Sequence, residues 1–180
     1  MNPKGKVSDS EVRSRKLGFE PIEADMVRDG VFDLVGGMPG HLLRRCQQIA
    51  VSIFLQECRD FDLTPLQFAV LAALTQAGPI DQVRLGGLAA LDRTTVSVVV
   101  RNLERRGLAR RQVSDRDRRS KLIEVTADGR DLIGRAMSAV ESAQQRIVSP
   151  LTPRERRGLI AILKKLADGN NEHSRAPLRD

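Results

Sequence analysis

"LDRTTVSVVVRNLERRG", residues 91–107, can be read as a strand or as a helix, and the rest of the chain follows from the choice. Residues 94–100 hold six β-branched side chains in seven, which is the composition of a strand. Val96, Val99, Val100 and Leu103 nevertheless fall on one face at helical spacing, and Gly107 stands where a helix takes its stop. Period and punctuation outweigh propensity here, and the stretch is read as a helix.

Working outward, "LTPLQFAVLAALTQAGP" (residues 63–79) carries a Thr64/Gln67 capping box, with Pro65 in the first turn and a Gly78-Pro79 stop. That helix is apolar nearly all round and belongs in the core. Asp81 can cap a short helix reaching Ala89, inside which Gly86-Gly87 is a pair with no assigned role. Beyond Gly107 come two short strands, 108–113 and 121–125, the second alternating Leu122 and Glu124 with Ile123 and Val125. Two short helices followed by a β-hairpin make a winged helix-turn-helix. In that layout the second helix enters the major groove of DNA and the hairpin lies against the flanking backbone or minor groove.

The flanks are helical. One helix starts at Met38-Pro39, shows Leu42, Cys46, Ile49 and Ile53 with Leu43, Ala50 and Phe54 beside them, and ends near Arg59. Thr126 opens a long helix with Leu132, Ile133, Ala136, Val140, Ala143 and Ile147 inward. Thr152 with Glu155 caps a last one that shows Leu159, Ile162, Leu163 and Leu166. These terminal stripes exceed what one small core could bury. The fold is therefore expected to be mainly α: a winged helix-turn-helix with a two-stranded wing and a helical dimerisation region from the terminal helices. The expected division is a flexible N-terminal segment 1–37, a dimerisation region 38–62 and 126–168, a DNA-binding region 63–125 and a polar tail 169–180.

Composition narrows the function. Among 180 residues there are five Phe, no Trp and no Tyr, which argues against stacking platforms for single-stranded nucleic acid. No apolar run approaches the length of a membrane span, and the N-terminus lacks a signal-peptide core. Cys46 and Cys58, twelve apart in one helix, would sit roughly 18 Å from each other, beyond disulfide reach. Two thiols in a reducing cytoplasm is the plain reading; a redox-sensing thiol is the other. With two histidines, no Cys/His metal spacing, no phosphate-binding glycine loop and no nucleophile elbow, no catalytic residue, metal or cofactor is expected.

The net charge is +7, and residues 92–121 alone carry ten cations against four anions. That concentration is the footprint of a polyanionic partner. Arg93, Thr94, Thr95, Ser97, Val98 and Arg101 point away from the valine face. Hydroxyls there can bond phosphates or bases, a valine methyl can meet a thymine methyl, and Arg101 can reach guanine or phosphate. The hairpin tip holds Arg116, Asp117, Arg118 and Arg119. Its arginines suit the negative potential of a minor groove, and its aspartates suit the task of holding a guanidinium fork in place.

Asp117-Arg118-Arg119 followed by "SKLIEVTADG" resembles the wing signature of the MarR family of bacterial regulators, an Asp-x-Arg leading into a strand and then Leu-Thr-x-x-Gly. Val125-Thr126 departs mildly from it. "LTPLQFAVLAAL" resembles the family's second helix, and "LAALDRTTVSVVVRNLERRGLARR" its reading head. The resemblance spans roughly residues 38–168. It implies that Arg119 is the wing-tip arginine and Asp117 its orienter, and that two reading heads of a homodimer meet a pseudo-palindromic operator in double-stranded DNA. It also implies a repressor released by a small aromatic acid or phenol. "PGHLLRRCQQIAVSIFLQEC" (residues 39–58) resembles a subgroup controlling catabolism of aromatic or N-heterocyclic carboxylates. His41, Arg44 and Arg45 lie within about one helical turn and suit a carboxylate, while Phe54 and Phe68 could wall an apolar pocket. The same residues also fit solvated charges and core phenylalanines. Two alternatives stay beside this reading: a non-specific architectural DNA-binding protein, and a thiol-sensing regulator of the same fold.

Overall fold

The structure is a computed structural model that describes residues 35–113 and 121–178. The chain divides into two compact units, residues 1–47 and 48–180. Helix α1 (Pro39–Glu57) begins in the first and ends in the second. In the first unit Leu42 and Leu43 of α1 are exposed, as are Arg44, Arg45 and Cys46, while His41 is half-buried.

In the second unit α1 buries only Phe54 and stops at Glu57, slightly before the expected end. A 3-10 turn, Arg59–Phe61, follows, and Asp62 adopts a left-handed φ of 47°. Helix α2 (Pro65–Ala77) is then launched by the expected capping box. The Thr64 hydroxyl accepts from the Gln67 N–H at 3.2 Å, and the Gln67 side chain accepts from the Thr64 N–H at 3.0 Å. Val70, Leu71 and Leu74 are removed from solvent, which puts α2 at the centre of the core.

Asp81 caps α3 (Gln82–Ala89) by accepting from Val83 and Arg84 N–H at 2.8 and 3.0 Å. The turn that follows explains one glycine of the unassigned pair. Ala90 sits at φ 53°, the Leu91 N–H returns to the Gly86 carbonyl at 2.9 Å, and a Cβ on Gly86 would stand 2.9 Å from the Leu91 carbonyl oxygen. Only a residue without a side chain lets the chain double back so tightly.

The contested stretch is helix α4 (Arg93–Arg105), with Val96, Val99, Val100 and Leu103 buried. It ends in a full Schellman motif. The Leu108 N–H reaches the Leu103 carbonyl at 2.9 Å, the Gly107 N–H reaches Glu104 at 3.0 Å, and Gly107 has φ 70°. Strands β1 (Ala109–Val113) and β2 (Lys121–Val125) pair antiparallel, from Ala109 opposite Val125 to Val113 opposite Lys121. An isolated bridge that the sequence did not announce, Ile80 to Ile123, pins the α2–α3 connection to β2 through bonds of 2.8 and 3.1 Å.

Helix α5 (Ala127–Ile147) leaves the hairpin through one crowded joint. The Thr126 hydroxyl donates to the Gly107 carbonyl at 2.7 Å and accepts from the Gly129 N–H at 3.1 Å, while the Thr126 N–H binds the Leu108 carbonyl at 3.1 Å. A Cβ on Gly129 would lie 2.2 Å from that same Leu108 oxygen. Leu132, Ala136, Val140 and Ala143 of α5 are buried. Helix α6 (Pro153–Gly169) has the expected Thr152/Glu155 box but fully buries no residue: Leu159 is half-buried, and Ile162, Leu163 and Leu166 of its stripe are exposed along with Ile160. Residues 170–178 form a 3-10 turn, Asn171–His173, and a short loop.

Candidate nucleic-acid interface

The interface is built on α4. Asp92 caps it: one carboxylate oxygen accepts from the Thr94 and Thr95 N–H groups, each at 3.0 Å, and the other accepts the Thr95 hydroxyl at 2.8 Å. The bonds from Thr95, backbone first and then side chain, hold the Asp92 carboxyl below the usual carboxylate range, with Thr94 and the Arg175 charge adding to them. Gln82 at the start of α3 donates to the Arg93 carbonyl at 3.1 Å, joining the two helices at their N-terminal ends.

With the valine face buried, Arg93, Thr94, Val98 and Arg101 are exposed, and Thr95 and Ser97 are half-buried. Thr95 differs from its neighbours because its hydroxyl hydrogen is committed to Asp92. While that bond stands, it has none to offer a phosphate. The Asp92–Thr94–Thr95 cap was the signal missed in the sequence, an Asp directly ahead of a helical period.

The cation cluster also sorts itself. Arg110 pairs across the strands with Glu124, and Arg111 binds Glu104 at 2.5 Å. Arg105 reaches the Asn102 side chain at 2.5 Å. Arg106 closes the end of α4 onto the loop before α2, donating to the carbonyls of Asp62 at 2.6 Å and Phe61 at 3.3 Å and lying 3.7 Å from the Asp62 carboxylate. Those four arginines are engaged within the chain, Arg106 the most buried of them. Arg93 and Arg101 face solvent, as does Lys121 at the start of β2. Arg116, Asp117, Arg118 and Arg119 lie outside the described residues.

Of the candidate effector residues, Phe54 and Phe68 meet, with ring centroids 5.9 Å apart and planes tilted by 51°. Phe54 is 4% exposed and belongs to the core, whereas Phe68 is half-buried against it. His41, Arg44 and Arg45 stand in the other unit, one turn apart along α1. Cys58 is fully buried, and burial followed by the adjacent Glu57 raises its thiol pKa; Cys46 is exposed rather than on a buried stripe. A buried thiol kept protonated is a poor nucleophile, so Cys58 is unsuited to sensing oxidants. Among the described residues, no group of His, Cys, Asp and Glu could hold a metal ion, and no helix is long and apolar enough to cross a membrane.

A helix that buries valines and presents Arg93, Thr94, Val98 and Arg101, seated between a short capped helix and an antiparallel hairpin, defines a winged helix-turn-helix protein. The sequence profile of the MarR family matches residues 63–121. The HTH-type transcriptional repressor NicR of Pseudomonas putida is 31% identical over 131 residues, 73% of this chain and 83% of NicR. Among solved structures, Bordetella bronchiseptica BpsR, whose DNA binding is regulated by 6-hydroxynicotinic acid, is 36% identical with a TM-score of 0.71, over 74% of this chain and 95% of BpsR. The PcaV transcriptional regulator of Streptomyces coelicolor, solved in complex with its natural ligand, is 30% identical with a TM-score of 0.67, over 74% of this chain and 94% of PcaV. The chain belongs to the MarR family and is a transcription regulator. These relatives are regulators, not enzymes.

Proposed function

We propose that the protein is a cytoplasmic homodimeric repressor that reads a pseudo-palindromic operator with α4 and the wing, and leaves it when a small aromatic or N-heterocyclic carboxylate, or its thioester, binds. The observation that carries this reading is the outward face of α4. Two guanidiniums without a carboxylate partner among the described residues, Arg93 and Arg101, flank a threonine hydroxyl and an exposed valine, a set suited to phosphates, guanine and thymine methyls. Arg116, Arg118 and Arg119 extend that charge into the wing, with Asp117 as orienter. Residues 63–125 are the DNA-binding region in this proposal, and 38–62 with 126–168 the dimerisation region. The apolar side chains that α1 and α6 leave in solvent support the second assignment. In the first unit His41, Arg44 and Arg45 are the proposed carboxylate recognisers. In the second, Phe68 is the candidate effector ring that still has surface to offer.

The test is fluorescence anisotropy on labelled DNA from upstream of the protein's own gene. Aromatic and N-heterocyclic acids and their coenzyme A thioesters are added to the preformed complex. Binding at least about 10³-fold tighter than to a scrambled duplex, followed by release with one compound, is the expected result. Equal binding to both duplexes would identify an architectural protein instead. Arg119→Ala is expected to weaken binding severely at an unchanged melting temperature; native affinity in that variant would remove the wing from the mechanism.

A further inference from the structure

The loop after α6 is built rather than trailing. The Asn171 side chain clips the Leu178 backbone from both sides, accepting its N–H at 2.9 Å and donating to its carbonyl at 3.0 Å, and the Ser174 hydroxyl accepts the Ala176 N–H at 3.1 Å. The closed loop lies on α3. The Pro177 carbonyl oxygen comes close enough to Gly87 that a Cβ there would be 3.3 Å away, a tight contact that the loop would have to ease by a few tenths of an ångström. Between loop and helix is an open cavity of about 610 Å³, lined by Arg175 to Leu178 on one side and by Asp81, one side of α3, Leu91 and Arg93 on the other.

Three guanidiniums, those of Arg84, Arg93 and Arg175, border this cavity, and none has a carboxylate within salt-bridge distance among the described residues. Two carboxylates are near: Asp81, in the lining, caps α3 through one oxygen, and Asp92 caps α4 while feeling the Arg175 charge, so three guanidiniums face two anions there. Clustered guanidiniums in excess of the nearby carboxylates, and not locked into close ion pairs with them, are suited to oxyanions, which they grip through paired N–H groups. The place matters as much as the charge. In a helix-turn-helix the first helix crosses the nucleic-acid backbone while the second enters the groove, and this cavity lies where the two helices begin.

We infer that the carboxy-terminal loop belongs to the DNA-binding face, where Arg175 joins Arg84 and Arg93 in holding a backbone phosphodiester beside the groove that α4 reads. This rests on the DNA-binding reading above and extends it to a segment outside the winged helix. Such a contact carries no sequence information, so its signature is electrostatic.

The experiment is a salt titration of operator binding by wild type, Arg175→Ala and Arg175→Lys, with a scrambled duplex alongside and thermal denaturation as the control for folding. Arg175→Ala is expected to bind both duplexes more weakly by a similar factor. Its log-log salt slope should be shallower by about 0.9 for each protomer's lost contact, making it about threefold less sensitive per contact between 50 and 200 mM salt. Arg175→Lys should keep the wild-type slope. Asn171→Ala, which unclips the loop while leaving every guanidinium in place, is expected to weaken binding part of the way. An unchanged slope in Arg175→Ala, or tighter binding by it, overturns the inference while leaving the DNA-binding reading intact. Wild-type protein that binds no duplex at all fails before any variant is compared, and removes that reading and this inference together.

Discussion

Single residues set the angles on which the reading head depends, and glycines show it best. Gly129 lies so close to the Leu108 carbonyl that even a methyl group has nowhere to go. Gly129→Ala is expected to destabilise the fold by about 1–3 kcal/mol, measured as a lower denaturant midpoint; an unchanged midpoint would show that the joint can open. Asp92 works through its charge. Its folded carboxyl titrates below the unfolded one, so the stability it contributes is complete above about pH 3.9 and lost as pH falls through the folded value. Asp92→Ala is accordingly expected to be less stable than wild type at neutral pH, with the gap closing in strong acid. A gap that stays constant between pH 7 and pH 2 would assign the effect to something other than the carboxylate. The sequence revealed the stop at Gly107 because a left-handed helix end has one usual occupant. It could not reveal the surroundings of Gly86 and Gly87, since the atom that excludes a side chain at the first comes from Leu91 and the one that crowds the second comes from Pro177, ninety residues away along the chain.

At the scale of elements, the helices were legible because period and caps are local properties. Residues 91–107 resolved as a helix against their β propensity because burial of Val96, Val99 and Val100 is worth more than the few tenths of a kcal/mol by which each β-branched residue disfavours helix. Pairing across distance was not legible. The Ile80–Ile123 bridge is a single residue per side, too short for any alternation to announce it. The arginines of 92–121 likewise look alike in the sequence, yet among the described ones four bond within the chain and Arg93 and Arg101 have no carboxylate partner. Arg106 is the clearest scaffold case, tying the end of α4 to the Phe61 and Asp62 carbonyls. Arg106→Ala is expected to cost about 1.5–3 kcal/mol in unfolding free energy, the range for hydrogen bonds to a charged group. A loss of operator affinity with no loss of stability would instead make it a DNA contact. Arg101→Ala is expected to leave stability untouched, to cost about 1–3 kcal/mol of binding, and to shift sequence preference at one position.

The whole molecule is where apolar pattern and burial part company. A sequence shows that Leu42, Ile49, Ile162 and Leu163 recur at helical spacing, but not which surface will cover them. In the structure they remain in solvent, with Ile162 59% and Ile160 53% exposed on a helix that fully buries no residue. A second protomer is the covering surface proposed above, and it makes stability depend on concentration. Ile162→Asp is expected to shift sedimentation from dimer toward monomer and to lower the melting temperature of dilute protein. A variant that sediments as the wild-type dimer would place the contact elsewhere.

The joint at Thr126 bears on how such a molecule could move. One carbonyl, that of Leu108, receives the N–H of Thr126 and blocks any side chain at position 129, while the Thr126 hydroxyl grips Gly107 at the end of α4. The joint between the reading helix and the long helix that departs from it is therefore tight, and a tilt of one arm is expected to carry the other with it. Helix α5 is 21 residues long, so at about 1.5 Å per residue its arm is roughly 30 Å. Over such an arm a tilt of about five degrees corresponds to a swing of about 3 Å, close to one base-pair step. A molecule that pushes the far end of α5 by that much would turn the joint by about five degrees and, over the 13 residues of α4, roughly 20 Å, move the reading helix by about 2 Å, more than half a base-pair step.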